Sequence, residues 1–143
     1  MKKTVLLITI GFSLFLDAFQ ATNGVIIDTI TGLEWQDSYN RNNNTIKNST
    51  WQNAVSYCEN LSLDSKDDWR LPNKNELLSI VNYNQINPTI DKSFSNTNNN
   101  YYWSSTTKYS SYSKAWTVTF SYGNSNYDTK SSSHYIRCVR GEE

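Results

Sequence analysis

The sequence has no excess of charge of either sign. Its 13 basic and 13 acidic residues give a formal net charge of zero at pH 7. Binding to a phosphate backbone requires a basic patch or a basic chain, and this composition supplies neither. We therefore do not expect nucleic acid as a partner.

The residues of most catalytic sites are also scarce. His134 is the only histidine, and none of the residues beside it is acidic. We interpret it as a polar residue at the start of a strand, not as the base of a triad with Ser132. The one acidic cluster is Asp64, Asp67 and Asp68. We interpret that cluster as a solvated turn that orients Arg70, with calcium binding as the less favoured alternative. The sequence predicts no catalytic residue, metal or cofactor.

Cysteine is limited to Cys58 and Cys138. An even pair in an exported chain predicts a disulfide, whereas two buried free thiols would be the alternative in the cytosol.

Export is predicted by the first 21 residues. Lys2 and Lys3 precede an uncharged apolar run from Thr4 to Leu16, the pattern of a secretory signal peptide. The run is shorter than the roughly 20 residues of a membrane-spanning helix, so a membrane anchor is the weaker alternative. Ala18 and Ala21 are candidate last residues of the peptide. We predict a signal peptide at 1–21 and one domain at 22–143, located in the periplasm, at the cell surface or outside the cell.

Aromatic residues are abundant despite the asparagine-rich segments. Five tryptophans and ten tyrosines supply enough apolar area for a packed fold. Short apolar runs around Gly32 predict a β-hairpin at 24–36. Apolar residues at three- and four-residue steps then predict a helix over 51–61, and antiparallel strands follow from Tyr101 onward. The fold class is therefore α+β.

Local signals give finer expectations for these elements. Ser49 with Gln52 predicts a capping box for the first helix, and Asn73 with Glu76 predicts a capped start for the second. The segment 115–120 alternates apolar residues with threonine, which predicts one apolar and one polar face. The segment 135–139 predicts a single last strand, with Ile136 and Cys138 on one face and Tyr135, Arg137 and Val139 on the other.

Five ordered motifs closely resemble the Lcl C-terminal domain family, a bacterial domain of unknown function found in secreted and surface proteins. They are D-x-x-TGLEWQ at 28–36, W-x-x-A-x-x-YC at 51–58, DWRLPN-x-x-EL at 68–77, YWSST at 102–106 and YIRCVR at 135–140. The resemblance implies a C-type lectin-like fold, also similar to the sulfatase-modifying factors, with two helices on a twisted antiparallel sheet. It also implies that Cys58 pairs with Cys138, which leaves no thiol for chemistry of the sulfatase-modifying kind.

The resemblance also carries expectations about ligands. The family's namesake adhesin binds sulfated polysaccharide and is trimeric through a collagen-like stalk. This sequence has no Gly-X-Y repeat, so we predict no oligomeric state. It also lacks the Glu-Pro-Asn, Gln-Pro-Asp and Trp-Asn-Asp tripeptides with which C-type lectins hold calcium.

A set of residues is assigned to the framework. The five tryptophans fall on apolar faces, and the arginines are expected in internal ion pairs because a charge near the core needs a partner. The predicted structural residues are Asp28, Gly32, Trp35, Trp51, Trp69, Arg70, Pro72, Trp103, Trp116 and Arg137.

The segment 106–133 is the predicted recognition surface, formed by loops. Tyrosine, serine and asparagine suit adaptable contacts, and lysines attract acidic glycans. The candidate ligand-binding residues are Lys108, Tyr109, Tyr112, Lys114, Tyr122, Tyr127 and Lys130. We predict a recognition or adhesion module for a glycan or a surface protein, without catalysis. The alternatives are a structural subunit of a surface assembly and an enzyme of unassigned chemistry.

Overall fold

A computed structural model describes residues 17–141, so most of the predicted signal peptide, residues 1–16, lies outside the described residues. The described chain is an α+β fold with two helices, nine strands and one disulfide, which confirms the predicted class. Four strands form the first sheet, in the order β1 Phe19–Thr22, β2 Val25–Asp28, β3 Glu34–Gln36 and β9 Val139–Arg140. Five form the second, in the order β4 Asn48–Ser49, β8 His134–Tyr135, β5 Tyr101–Lys108, β6 Ser111–Thr119 and β7 Ser125–Thr129.

The expectation of one antiparallel sheet is wrong in two respects. The strands divide into two sheets, and β5 pairs with β8 in parallel through Tyr102 and Tyr135. The helices are α1 Trp51–Glu59 and α2 Lys74–Ser79, and a short 3-10 helix covers Asn40–Asn42. Within residues 17–141, no helix has the length and apolar character needed to cross a membrane.

The predicted hairpin of β2 and β3 is confirmed, and Asp28 shapes its turn. One carboxylate oxygen of Asp28 accepts hydrogen bonds from the backbone N–H groups of Ile30 (2.9 Å) and Thr31 (3.2 Å). The other accepts from the Thr31 hydroxyl at 2.6 Å. Gly32 then has a φ of +76°, a conformation that glycine adopts without steric cost.

Strand β1 overlaps the end of the predicted signal peptide. Phe19 to Thr22 pair with β2, and the Phe19 ring packs edge-on against Phe94 with centroids 5.5 Å apart. Cleavage after Ala18 would leave this strand whole, whereas cleavage after Ala21 would remove most of it.

The two helices begin differently. The capping box predicted at Ser49 and Gln52 is wrong. Ser49 lies in β4, where it pairs with His134 of β8, and the N-cap of α1 is Thr50, which makes no side-chain capping hydrogen bond. The capped start predicted for α2 is confirmed, and it is a full capping box. The Asn73 side chain accepts from the Glu76 N–H at 2.9 Å, and the Glu76 carboxylate accepts from the Asn73 N–H at 2.7 Å.

Two apolar clusters form the interior. The first cluster holds Trp35, Leu77, Tyr102, Val118 and Phe120 with their neighbours. The second cluster surrounds the disulfide between Cys58 and Cys138, whose sulfurs are 2.09 Å apart, and it includes Trp69, Trp103 and Ala115. The disulfide therefore ties α1 to the C-terminal segment, as predicted.

The predicted single strand at 135–139 is wrong. Its ends belong to different sheets, β8 and β9, and the residues between them cross the interior without exposure to solvent. The predicted alternation of sides is nevertheless present. Ile136 and Cys138 belong to the second cluster, whereas Tyr135 and Val139 contact the first.

Strand β6 is covered on both faces over its second half. Thr117 and Thr119, predicted to form a polar face, are 1% and 3% exposed. The Thr119 hydroxyl donates to the carbonyl of Asn99 at 3.0 Å. The strand therefore has a buried polar side, and its alternation of apolar residues and threonine does not identify a solvent-exposed face.

Candidate functional site

The predicted recognition segment is mainly sheet. Residues 106–133 include the end of β5, all of β6 and β7, and the turns between them. The expectation of loops is wrong because β6 pairs with both neighbours, from Lys114 to Val118 on the β7 side. Side chains on this surface are therefore placed by strand register.

Trp116 and Tyr127 form an aromatic pair on one face of the sheet. The two residues are direct partners in the register of β6 and β7. Their ring centroids are 5.5 Å apart, and the ring planes meet at 84°, a favourable edge-to-face arrangement. Both side chains are at least partly exposed, since Tyr127 retains 39% of its surface and Trp116 is only partly buried.

Three lysines surround this pair. The Nζ atom of Lys108 lies 3.5 Å from the ring centroid of Tyr127, and that of Lys114 lies 5.5 Å from it. The Nζ atom of Lys74 lies 4.2 Å from the Trp116 ring. These are cation–π distances, at which the ring quadrupole attracts the ammonium group. We call these five residues the basic aromatic face.

The lysines also act on the Tyr127 phenol. A hydrogen bond with Lys108 and the positive charges of Lys108 and Lys114 lower the pKa of Tyr127. The local potential of the basic aromatic face is therefore positive, although the whole chain is neutral.

Lys74 was not among the predicted ligand-binding residues. It is the first residue of α2, and its N–H donates to the Thr106 hydroxyl at 3.0 Å. The Ser105 N–H donates to the Pro72 carbonyl at 2.8 Å, which also fixes the start of α2 against β5. The sequence marks the helix start at Asn73 but gives no sign of which strand it meets.

Lys130 does not join Lys108 and Lys114. Its Nζ atom lies 3.9 Å from the Trp51 ring and donates to the Thr107 hydroxyl at 2.9 Å. Trp51 packs against the second cluster together with Ala115, whose side chain points to the opposite face from its neighbour Trp116. The structure therefore separates the predicted lysine set into two faces.

The remaining predicted tyrosines lie away from the aromatic pair. Tyr109 and Tyr112 are at the tip of the β5–β6 hairpin, 91% and 77% exposed. Tyr122 is in the β6–β7 turn at the other end of β6 and is 79% exposed. Of the predicted ligand-binding residues, only Lys108, Lys114 and Tyr127 lie together.

The tryptophans do not all lie in the core. Trp35, Trp69 and Trp103 are buried, as expected. Trp51 is partly buried but packs against the second cluster, as expected. Trp116 is partly buried beneath Lys74, and assignment to the core was wrong for this residue.

The arginines are held in ion pairs. Arg70 makes two hydrogen bonds to Glu76, at 2.7 and 2.8 Å. Arg137 is fully buried and contacts Asp37 at 3.0 Å. These are the internal ion pairs that we expected for both arginines.

The acidic turn has a different partner from the one predicted. Asp68 does not orient Arg70 but accepts two hydrogen bonds from Arg140, at 2.6 and 2.9 Å. Asp64 contacts Lys66 at 3.5 Å. Within residues 17–141, no group of three or more histidine, cysteine or acidic residues could hold a metal ion.

His134 has an acidic partner, Asp128, that was not predicted from the sequence. Its Nε2 atom lies 3.0 Å from a carboxylate oxygen of Asp128, and its ring packs edge-on against Trp103. Burial raises the pKa of Asp128, but hydrogen bonds from the Thr129 N–H, His134 and Ser132 outweigh burial and lower it. The contact between Asp128 and His134 links β7 to β8.

The family model for the Lcl C-terminal domain matches residues 24–140, nearly the whole described chain. No curated protein matches the sequence. The chain belongs to the Lcl C-terminal domain family, which confirms the resemblance of its five motifs.

Proposed function

We propose that this member of the Lcl C-terminal domain family is an exported recognition module that binds a sulfated glycan on the basic aromatic face. The proposal includes a C-type lectin-like fold for the domain and a non-catalytic role. Within the predicted segment 106–133 it retains Lys108, Lys114, Trp116 and Tyr127, and it adds Lys74 from α2.

One observation carries the proposal. Three ammonium groups lie within 5.5 Å of two partly exposed aromatic rings, on one face of a sheet. Sulfate groups need cationic hydrogen-bond donors, and an ammonium group over a ring keeps N–H groups directed at solvent. The parts of the two rings that the lysines leave exposed offer apolar surface for a sugar ring.

Further support comes from buried carboxylates that are already held in ion pairs. Asp37 pairs with Arg137, and Glu76 pairs with Arg70. General acid–base catalysis needs a titrating group directed at a substrate, and these two carboxylates are instead buried in their ion pairs. This favours recognition over an enzyme of unassigned chemistry.

The test is chromatography on immobilised heparin with two matched triple variants. The first replaces Lys74, Lys108 and Lys114 by alanine. The second replaces Lys47, Lys92 and Lys130, which removes the same total charge from other surfaces. We expect the first variant to elute at much lower salt than the wild type, and the second to elute close to it.

Two results would overturn the proposal. Equal losses in both variants would show that only net charge matters, and unchanged retention of the first variant would exclude the basic aromatic face. A column of chemically desulfated heparin provides a further control, because it should retain the wild type and both variants only weakly. Recovery of only sister proteins by crosslinking on intact cells, with no heparin retention, would favour the structural-subunit alternative.

A further inference from the structure

A polar groove lies apart from the basic aromatic face. It consists of two depressions of about 420 and 350 Å³ that adjoin along Asn44, Ser95 and Asn96. The first extends to the β1–β2 turn at Gly24, and the second reaches Tyr135. We call the two depressions together the amide groove.

The lining of the amide groove is polar and almost uncharged. Of the described residues that line it, only Asp37 carries a charge, and its carboxylate is already bonded within the protein. That carboxylate accepts from the Ser95 N–H at 3.0 Å, the Ser95 hydroxyl at 2.8 Å and Arg137 at 3.0 Å. Asparagine, serine and threonine side chains supply most of the remaining lining, with Tyr135 at one end.

The shared wall of the groove is fixed from beneath by buried charge. Arg137 donates to the Asn96 carbonyl at 2.6 Å and to the Thr97 hydroxyl at 2.9 Å. The Asn96 amide donates to the Asp37 carbonyl at 2.6 Å. Burying an ion pair carries a large desolvation cost, and here the pair orders a surface segment that has no regular secondary structure. The groove is therefore already formed in the free protein.

We infer that the amide groove is a second binding site, for an uncharged, hydroxyl-rich glycan. Side-chain amides and hydroxyls both donate and accept hydrogen bonds, as sugar hydroxyls do. A polyanion would find no cationic side chain among the described lining residues, and an apolar ligand would leave the amides unpaired. Tyr135 offers one aromatic surface at the end of the groove.

The test is a nuclear magnetic resonance titration with neutral hexasaccharides, one each of α-linked glucose, β-linked glucose, mannose and N-acetylglucosamine. We expect at least one of them, at millimolar concentration, to shift the backbone amides of Asn44, Ser95 and Asn96 in a saturable way. The amides of Lys108 and Lys114 should not shift. If none of the four shifts the groove amides, or if the shifts occur only at the lysines, the inference is overturned.

Two neighbouring asparagines give a matched pair of variants. Asn43 and Asn44 are both in the left-handed region, with φ of 51° and 58°, but only Asn44 lines the groove. Glycine keeps that backbone conformation and removes the amide. Asn44→Gly should weaken binding of the active hexasaccharide about threefold to tenfold, the effect of one hydrogen bond, while Asn43→Gly should not.

The outcome is independent of the heparin test. Asn44→Gly should leave retention on heparin unchanged, and alanine at Lys74, Lys108 and Lys114 should leave the hexasaccharide titration unchanged. Equal weakening by Asn43→Gly and Asn44→Gly would mean that the amide of Asn44 does not contact the glycan, and would overturn the site.

Discussion

The two faces of the five-stranded sheet use tryptophan in opposite ways. On the disulfide side, Trp103 is fully buried, and its indole N–H donates to the Ser49 carbonyl at 2.9 Å. On the other side, Trp116 is partly exposed and lies beneath Lys74. The first ring is packed on all sides, whereas the second retains surface that a ligand can cover. The same residue type thus supports the framework on one face and offers a contact surface on the other.

The two sides should differ in how much they contribute to folding stability. On the disulfide side, the bond between Cys58 and Cys138 joins α1 to the C-terminal segment. The side chains of Lys74, Lys108 and Lys114 contribute mainly cation–π contacts at exposed sites, each worth about 0.5–1 kcal/mol. Changes around the disulfide should therefore alter stability, whereas alanine at Lys74, Lys108 and Lys114 should alter binding with little effect on stability.

The strongest challenge to this contrast is removal of the disulfide. Replacing both Cys58 and Cys138 by alanine should lower the free energy of unfolding by about 4–5 kcal/mol, because the bond closes a long loop in the unfolded chain. Denaturant titration of both proteins measures the difference. A loss below about 1 kcal/mol would show that the disulfide side does not depend on the bond.

Removal of the buried arginine should have the next largest effect. Arg137→Met leaves Asp37 without its cation in the interior, which should cost about 3–5 kcal/mol. Adding Asp37→Asn to that variant should recover part of the loss, since no charge then remains unpaired. If the single variant is as stable as the wild type, the buried pair does not hold the segment 95–97.

The start of the framework can be located by comparing two chains. A chain beginning at Phe19 keeps β1, whereas one beginning at Thr22 loses the Phe19 ring and most of the strand. We expect the shorter chain to be less stable by about 1–2 kcal/mol, the scale for burying one partly covered aromatic side chain. Equal melting temperatures would place β1 outside the framework. If the shorter chain is less stable, as expected, cleavage of a signal peptide should occur after Ala18, and mass spectrometry of the processed protein would show this.

The smallest expected effect is pH dependence at the edge of the first sheet. Burial raises the pKa of Glu34, but hydrogen bonds from Lys66 and Arg140 outweigh it, so the net shift is downward. A hydrogen bond from Arg140 lowers the pKa of Asp68. Carboxylates with a lowered folded-state pKa stabilise the fold above their unfolded pKa, and this stability is lost as the pH falls through their folded pKa.

Arg140→Gln tests this assignment. The melting temperature of the wild type should fall more between pH 7 and pH 3 than that of the variant, because the variant lacks the shared cation. Identical falls would show that the Arg140 contacts add nothing to stability. Arg70, which pairs with Glu76, is a useful comparison site, since Arg70→Gln should leave the Glu34 contribution in place.

Features set by neighbours in sequence were predictable. The β2–β3 turn depends on Asp28 and Gly32, and the start of α2 depends on Asn73 and Glu76, all within a few residues of each other. The capping box predicted for α1 failed although its spacing was correct, because Ser49 is used by β4 and cannot also cap α1. A local signal therefore predicts an element only where no distant strand competes for the same residue.

Features set by distant contacts were not predictable from spacing. Lys74 reaches the basic aromatic face because α2 packs across β5, and nothing near Lys74 in sequence indicates that contact. The separation of Lys130 from Lys114 depends on which face each side chain occupies. Composition could indicate that lysine and tyrosine were concentrated in 106–133, but the choice of Lys108, Lys114 and Tyr127 required the sheet register.

The salt dependence of heparin binding tests the central claim most directly. Binding constants of the wild type and of the Lys74, Lys108 and Lys114 alanine variant would be measured over a series of sodium chloride concentrations. Each lysine that contacts an anionic group releases counterions. The slope of the logarithm of the binding constant against the logarithm of the salt concentration should therefore be steeper for the wild type than for the variant, by about two to three. The two proteins should have equal free energies of unfolding. Equal slopes would show that these three lysines do not meet the polyanion, and would contradict the division between a structural face and a binding face.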